Sequence, residues 1–191
     1  MKKIRLLTLL WTAVLAWTLA WCWWNNNTNT ETNNQDLIIE DVTTQYDAVI
    51  NYNDSLVEIA SQCIISENDI PTDYENGLDN VKVAIDNVLA QCQNSIDQIN
   101  ALWDWEWDSS LKDWIVKVLT LDISYFSKFS ELLPYLTNEE LSEEDASKYE
   151  TLVNEINAID QEMEAANNDL ITIQEAFAAN HDYELQPTEE A

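Results

Sequence analysis

Residues 149–177 read YETLVNEINAIDQEMEAANNDLITIQEAF. Tyr149, Leu152, Ile156, Ile159, Met163, Ala166, Leu170, Ile173 and Phe177 are spaced alternately three and four apart. That spacing lays one apolar stripe along about eight helical turns and excludes a strand, whose period is two. A helix with one dry stripe must bury it against other helices. Ser142-Glu143-Glu144-Asp145 opens this run with acids, which suit the positive end of a helix dipole.

Three earlier segments repeat the pattern. From about Asp36 to Ser66 the stripe is Val42, Tyr46, Val49, Asn53, Leu56, Ala60 and Cys63, with Asn53 as its polar member. Ile70-Pro71 stops this helix, because proline disfavours helix for the residue before it. The next segment starts at Thr72, which forms a capping box with Glu75. Its stripe is Tyr74, Leu78, Val81, Ile85, Val88 and Cys92, followed by Ile96, Ile99 and Leu102. A third helix begins near Ser109 or Ser110 and carries Leu111, Ile115, Val118, Tyr125, Phe129 and Leu132, with Leu119, Phe126 and Leu133 widening the face. Asp122 is a polar residue in that seam, and Pro134 breaks or kinks the helix near its end.

The links at 67–71, 103–108 and 134–142 are short, which makes successive helices antiparallel neighbours. The expected fold is all-α: an elongated, antiparallel up-down four-helix bundle with coiled-coil-like heptad packing over residues 36–185, with 186–191 as a disordered tail. Asn53 and Asp122 would then fix register and pairing.

The chain has nine tryptophans and one glycine in 191 residues, where roughly 13 glycines are typical at about 7%. Trp11, Trp17, Trp21, Trp23 and Trp24 crowd the N-terminus, and Trp103, Trp105, Trp107 and Trp114 crowd one polar stretch, outside the positions where a large aromatic would pack. With each tryptophan read as glycine, residues 19–24 become Leu-Ala-Gly-Cys-Gly-Gly and 102–108 become a flexible turn. The expectation is a bacterial lineage that reads UGA as glycine.

Met1, Lys2, Lys3 and Arg5 precede an apolar stretch from Leu6 to Ala20, of signal-peptide length. Leu19, Ala20 and Trp21 lead into Cys22, and this box resembles that of a bacterial lipoprotein once a small residue stands at 21. The resemblance implies removal of residues 1–21, a lipid on Cys22, and a place on the outer face of a bacterial membrane. Were the tryptophans genuine, residues 6–24 would instead form an uncleaved signal anchor. Residues 22–35 form the lipidated cysteine and a polar tether, NNNTNTETNNQ at its end, with no apolar residue to pack. After Cys22 there are five lysines against 36 acids, a net charge near −31. That excludes nucleic acid as a partner, since phosphate affinity rests on Lys and Arg.

The remaining chemistry is sparse. Cys63 and Cys92 are an even pair, but a hairpin turning near Asp69 would set them about 25 Å apart along the axis, against about 7 Å for a bridge. The expectation is two buried free thiols acting as small apolar groups. Asp104, Glu106 and Asp108 space three acids like the start of a calcium loop, but Ser109 and Ile115 occupy the places of the required Gly and Glu, so this is a weak metal candidate. His181 is the one histidine and is expected on the surface. No nucleophile elbow, Gly-rich phosphate loop or Cys/His metal cluster appears, and no cofactor is expected.

Tyr52-Asn53-Asp54 and Gln174-Glu175-Ala176-Phe177-Ala178 resemble segments of uncharacterised, all-helical bacterial surface lipoproteins, as does the plan of residues 36–185. The resemblance implies a cell-envelope protein of unassigned activity, with no catalytic residues to carry over. The expected function is a non-enzymatic, lipid-anchored binding or spacer module toward an envelope or host surface protein. The alternative is a structural protein that oligomerises through its seams.

Overall fold

The computed structural model describes residues 39–71, 78–105, 108–136, 138 and 140–181. Most of these residues are helical, with helices packed on helices. They form α1 (Ile39–Glu67), α2 (Leu78–Ala101), α3 (Ser110–Leu136) and α4 (Glu143–Asn180). The longest, α4, has 38 residues and a length of about 57 Å. The expected helix start at Thr72 and the tail at 186–191 lie outside the described residues, as do 1–38.

The ends follow local chemistry. Ser142 caps α4, its hydroxyl accepting the Asp145 amide at 3.1 Å and donating to the Asp145 carboxylate at 2.7 Å. Glu143, Glu144 and Asp145 fill the first turn, where the dipole favours negative charge. At the other end the His181 amide donates to the Phe177 and Ala178 carbonyls. Ser142→Ala is expected to cost about 1 kcal/mol in urea unfolding, because it orphans the Asp145 amide. Pro134 lies inside α3, two residues before its end, so the bond its missing N–H would have made to the carbonyl four residues earlier is lost in the last turns of the helix.

One apolar core runs through the helices. On α4 the buried positions include Leu152, Ile156, Met163, Ala166, Leu170 and Phe177, all on the stripe read from the sequence. On α2 they include Val81, Ile85, Val88, Cys92, Ile96 and Ile99. On α3 Asp122 is buried among Leu119, Tyr125 and Phe126. On α1 Tyr52, not Asn53, takes the buried place between Val49 and Leu56. The Tyr52 ring meets Trp105 and Phe177 at centroid distances of 5.7 and 6.3 Å, whereas Asn53 is only half-buried. A straight helix turns every 3.6 residues, so a strict heptad drifts off the buried face.

Among the described residues α1 packs on α2, α2 on α3 and α3 on α4, with a smaller α1–α3 contact. The Ser95 hydroxyl of α2 donates to the Ile59 carbonyl of α1 at 2.8 Å. Lys128 of α3 pairs with Glu155 of α4 at 3.0 Å. Trp114 corrects the reading that no tryptophan sits where a large aromatic would pack. It lies in α3, half-buried, and its indole N–H donates to the Ala166 carbonyl of α4 at 2.7 Å. Position 114 is one turn from Leu111 and Val118, so it flanks the core face.

Candidate functional site

Three helices bring polar chemistry to one buried place. Cys63 stands one turn before the end of α1, and Glu67 follows four residues later on the same face. Cys92 comes from the middle of α2 and Asp122 from the middle of α3. Cys63 and Cys92 are joined in a disulfide, with Cα atoms 4.4 Å apart. Both are fully buried. The two sulfurs and a Glu67 carboxylate oxygen all lie within 4.8 Å of one another, and Cys63 Sγ is 4.0 Å from Glu67 Oε1.

The bridge overturns the expectation of free thiols, and the reason is the hairpin register. Ile59 meets Ser95 and Cys63 meets Cys92, so advancing four residues on α1 moves back three on α2. Cys63 is four residues before the end of α1, but Cys92 is fourteen after the described start of α2. The difference of ten residues corresponds to about 15 Å of helix, so α2 starts well beyond the end of α1. A tight turn at Asp69 was the wrong pivot. The pairing centres near residue 77 instead, and seam positions 63 and 92 fall opposite each other.

Asp122 is wholly buried, and neither carboxylate oxygen has a hydrogen-bond partner. The nearby hydroxyls are spent on backbone: Ser66 donates to the Cys63 carbonyl and Ser95 to the Ile59 carbonyl. Burial pushes the Glu67 carboxyl up to about 9, and the Asp122 charge adds to the rise. Burial likewise pushes Asp122 up to about 7. Two carboxyls that share a low-dielectric pocket cannot both ionise cheaply, so the pair retains a proton at neutral pH. Glu67 also lies in the last turn of α1, which carries no basic residue and presents the negative end of the helix dipole. Lys82, Lys112 and Lys128 are engaged elsewhere, with Asp86, Asp104 and Glu131/Glu155.

The weak calcium-loop candidate is dispersed. Asp104 pairs with Lys112 at 2.7 Å, and the Lys112 ammonium also donates to the Leu102 carbonyl. Asp108 accepts from the Ser110 amide at 2.9 Å and from the Asn180 side chain at 3.4 Å. Burial would raise the Asp108 carboxyl, but hydrogen bonds from Ser110, Asn180 and His181 outweigh it and hold it below the usual range. Glu106 lies outside the described residues. His181 is not a surface histidine. Its side chain is 6% exposed, packs 4.5 Å from the Phe177 ring centroid and edge-on to Trp105, and reaches Asp108 at 3.4 Å. As the cap of α4 it is drawn in by the loop that links α2 to α3.

Leu19, Ala20, Trp21 and Cys22 lie outside the described residues. Asp122 was legible as a polar seam residue. Glu67 was missed, although its four-residue spacing from Cys63 was a signal in the sequence. Comparison with protein-family models, curated proteins and solved structures finds no match to this chain.

Proposed function

We propose that this chain is a lipid-anchored, extracytoplasmic helical module that binds or spaces and does not catalyse. Its four helices form an up-down antiparallel bundle, a reading supported by the opposed numbering of the 59/95 and 63/92 pairs. The observation that carries the address is the sequence Leu19-Ala20-Trp21-Cys22, placed after a basic start and an apolar run and before a polar tether. The Cys63–Cys92 bridge supports it independently, because disulfides persist in oxidising compartments outside the cytoplasm. No helix among the described residues is long and apolar enough to cross a membrane. The acidic surface suits a water-facing domain held clear of anionic lipid. Its partner would be another envelope protein or a host surface protein.

The printed tryptophans stand for glycine in this reading. Trp103 is 71% exposed, and the buried Trp105 Nε1 finds no acceptor, so two indoles of the 103–114 cluster lack what an indole normally secures. Trp114 secures both packing and an acceptor, which makes its codon the sharpest check.

Labelling bacteria with radioactive palmitate tests the anchor. The W21G chain is expected to take up label, and W21G/C22A is expected to take up none. Equal label in both would end the proposal. Intact mass of the chain from its own cells distinguishes indole from glycine at all nine positions.

A further inference from the structure

We propose that Cys63, Cys92 and Glu67, backed by Asp122, form a redox-gated site for one thiophilic divalent cation of the Zn²⁺ class, closed by the disulfide and opened by its reduction. The proposal stands apart from the lipid anchor and does not rest on it.

The donor set comes first. Two sulfurs and one carboxylate oxygen already lie within 4.8 Å of one another. Tetrahedral Zn²⁺ takes thiolate at about 2.3 Å and carboxylate at about 2.0–2.2 Å, so its ligand atoms stand about 3.5–4 Å apart. Cys63 Sγ and Glu67 Oε1 are at 4.0 Å, which already fits. The two sulfurs need only separate as the S–S bond opens, by small side-chain rotations.

The second observation is Asp122. It is wholly buried, both its oxygens lack a donor, and it lies close enough to Glu67 for their charges to interact. Buried carboxyls are ordinarily hydrogen-bonded, paired with a cation or bound to a metal. Among the described residues no salt bridge joins a lysine to either carboxyl, and the carbonyl end of α1 adds further negative potential. A divalent cation would take the place of the proton that the two carboxyls share and would neutralise both. The sulfurs select a soft or borderline ion over Ca²⁺ or Mg²⁺, which take all-oxygen shells.

The chemistry balances with a thiol reductant. Two molecules of a small thiol supply two electrons and two protons, open the Cys63–Cys92 bond to two thiols, and leave as their own disulfide. The cation then displaces both thiol protons and the proton that the Glu67–Asp122 pair holds at neutral pH, releases all three to solvent, and binds the two thiolates and the Glu67 carboxylate. A two-electron oxidant re-forms the bridge and expels the ion. Cys63 sits one turn from the end of α1, where fraying of a single turn gives a reductant access to the buried bridge.

The test uses the full chain, oxidised and reduced, titrated with Zn²⁺ and with Co²⁺ under anaerobic conditions. The reduced chain is expected to bind one Zn²⁺ per chain, and Co²⁺ is expected to give the thiolate charge-transfer bands of a tetrahedral site. The oxidised chain has the same sequence and is expected to bind at least roughly tenfold more weakly. E67Q/D122N, reduced, is expected to lose roughly tenfold or more in affinity. Circular dichroism monitors the fold. If reduction unfolds the chain, Zn²⁺ is expected to restore its helicity, and E67Q alone then replaces the double variant. Equal binding by oxidised and reduced chains, unchanged affinity in the carboxyl variant, or failure of Zn²⁺ to refold an unfolded reduced chain overturns the site.

Discussion

Reducing the Cys63–Cys92 bridge, with a chelator present to keep cations away, is expected to lower the free energy of unfolding by about 3.5 kcal/mol. The bridge joins residues 29 apart. In the chain-entropy account a closed loop of that size removes about 3.5 kcal/mol of freedom from the unfolded ensemble. The cystine also ties the last turn of α1 to the middle of α2, in the same patch as the Ser95–Ile59 hydrogen bond. For a chain of this size, a loss of that order lowers Tm by roughly 7–14 °C. Urea unfolding with and without reductant measures it, and C63S/C92S without reductant is expected to match reduced wild type or fall below it. A change under about 1 kcal/mol would mean that the sulfurs do not constrain the unfolded chain.

Replacing Asp122 with leucine is expected to stabilise the oxidised chain at pH 9 far more than at pH 5. Burial raises both Asp122 and Glu67 in the folded state, so folding holds protons that the unfolded chain gives up. The folded state therefore binds more protons than the unfolded state, and stability falls as pH rises. The contribution is intact below about pH 4, where both states are protonated, and declines from there. It is lost through about 7 for Asp122 and about 9 for Glu67. Because Asp122 is wholly buried without a donor, its share of the decline is on the order of 2–4 kcal/mol. D122L removes that decline and keeps the branching of the side chain, at the cost of the larger volume of two methyl groups. Chemical unfolding of both chains at pH 5 and pH 9 gives the difference, and equal slopes in pH would show that Asp122 ionises freely in the fold. Taking the difference between variants cancels the general repulsion among the 36 acids.

The buried stripe of α4 was legible because each of its apolar residues answers to one local rule, the return of a helix face every three or four residues. The acidic first turn of that helix was legible for the same reason, since the dipole acts only on charges within the end turn. Asn53 was misassigned because a heptad count cannot tell which of two neighbouring residues has a partner surface. Tyr52 has one, in which Phe177 comes from far along the chain. His181 escaped for a similar reason, being enclosed by Asp108, Trp105 and Phe177 only once the helices are assembled.

Helix number, their apolar faces and the isolated polar position Asp122 thus follow from residues within a few turns of one another, where spacing alone governs the energetics. The cystine and its carboxyl neighbours do not. Their meeting depends on how far α2 slides along α1, and a slide of one heptad presents nearly the same apolar stripe to its partner at nearly the same energy. Only packing of the complete core selected the offset that sets Cys63 against Cys92 and brings Glu67 beside Asp122.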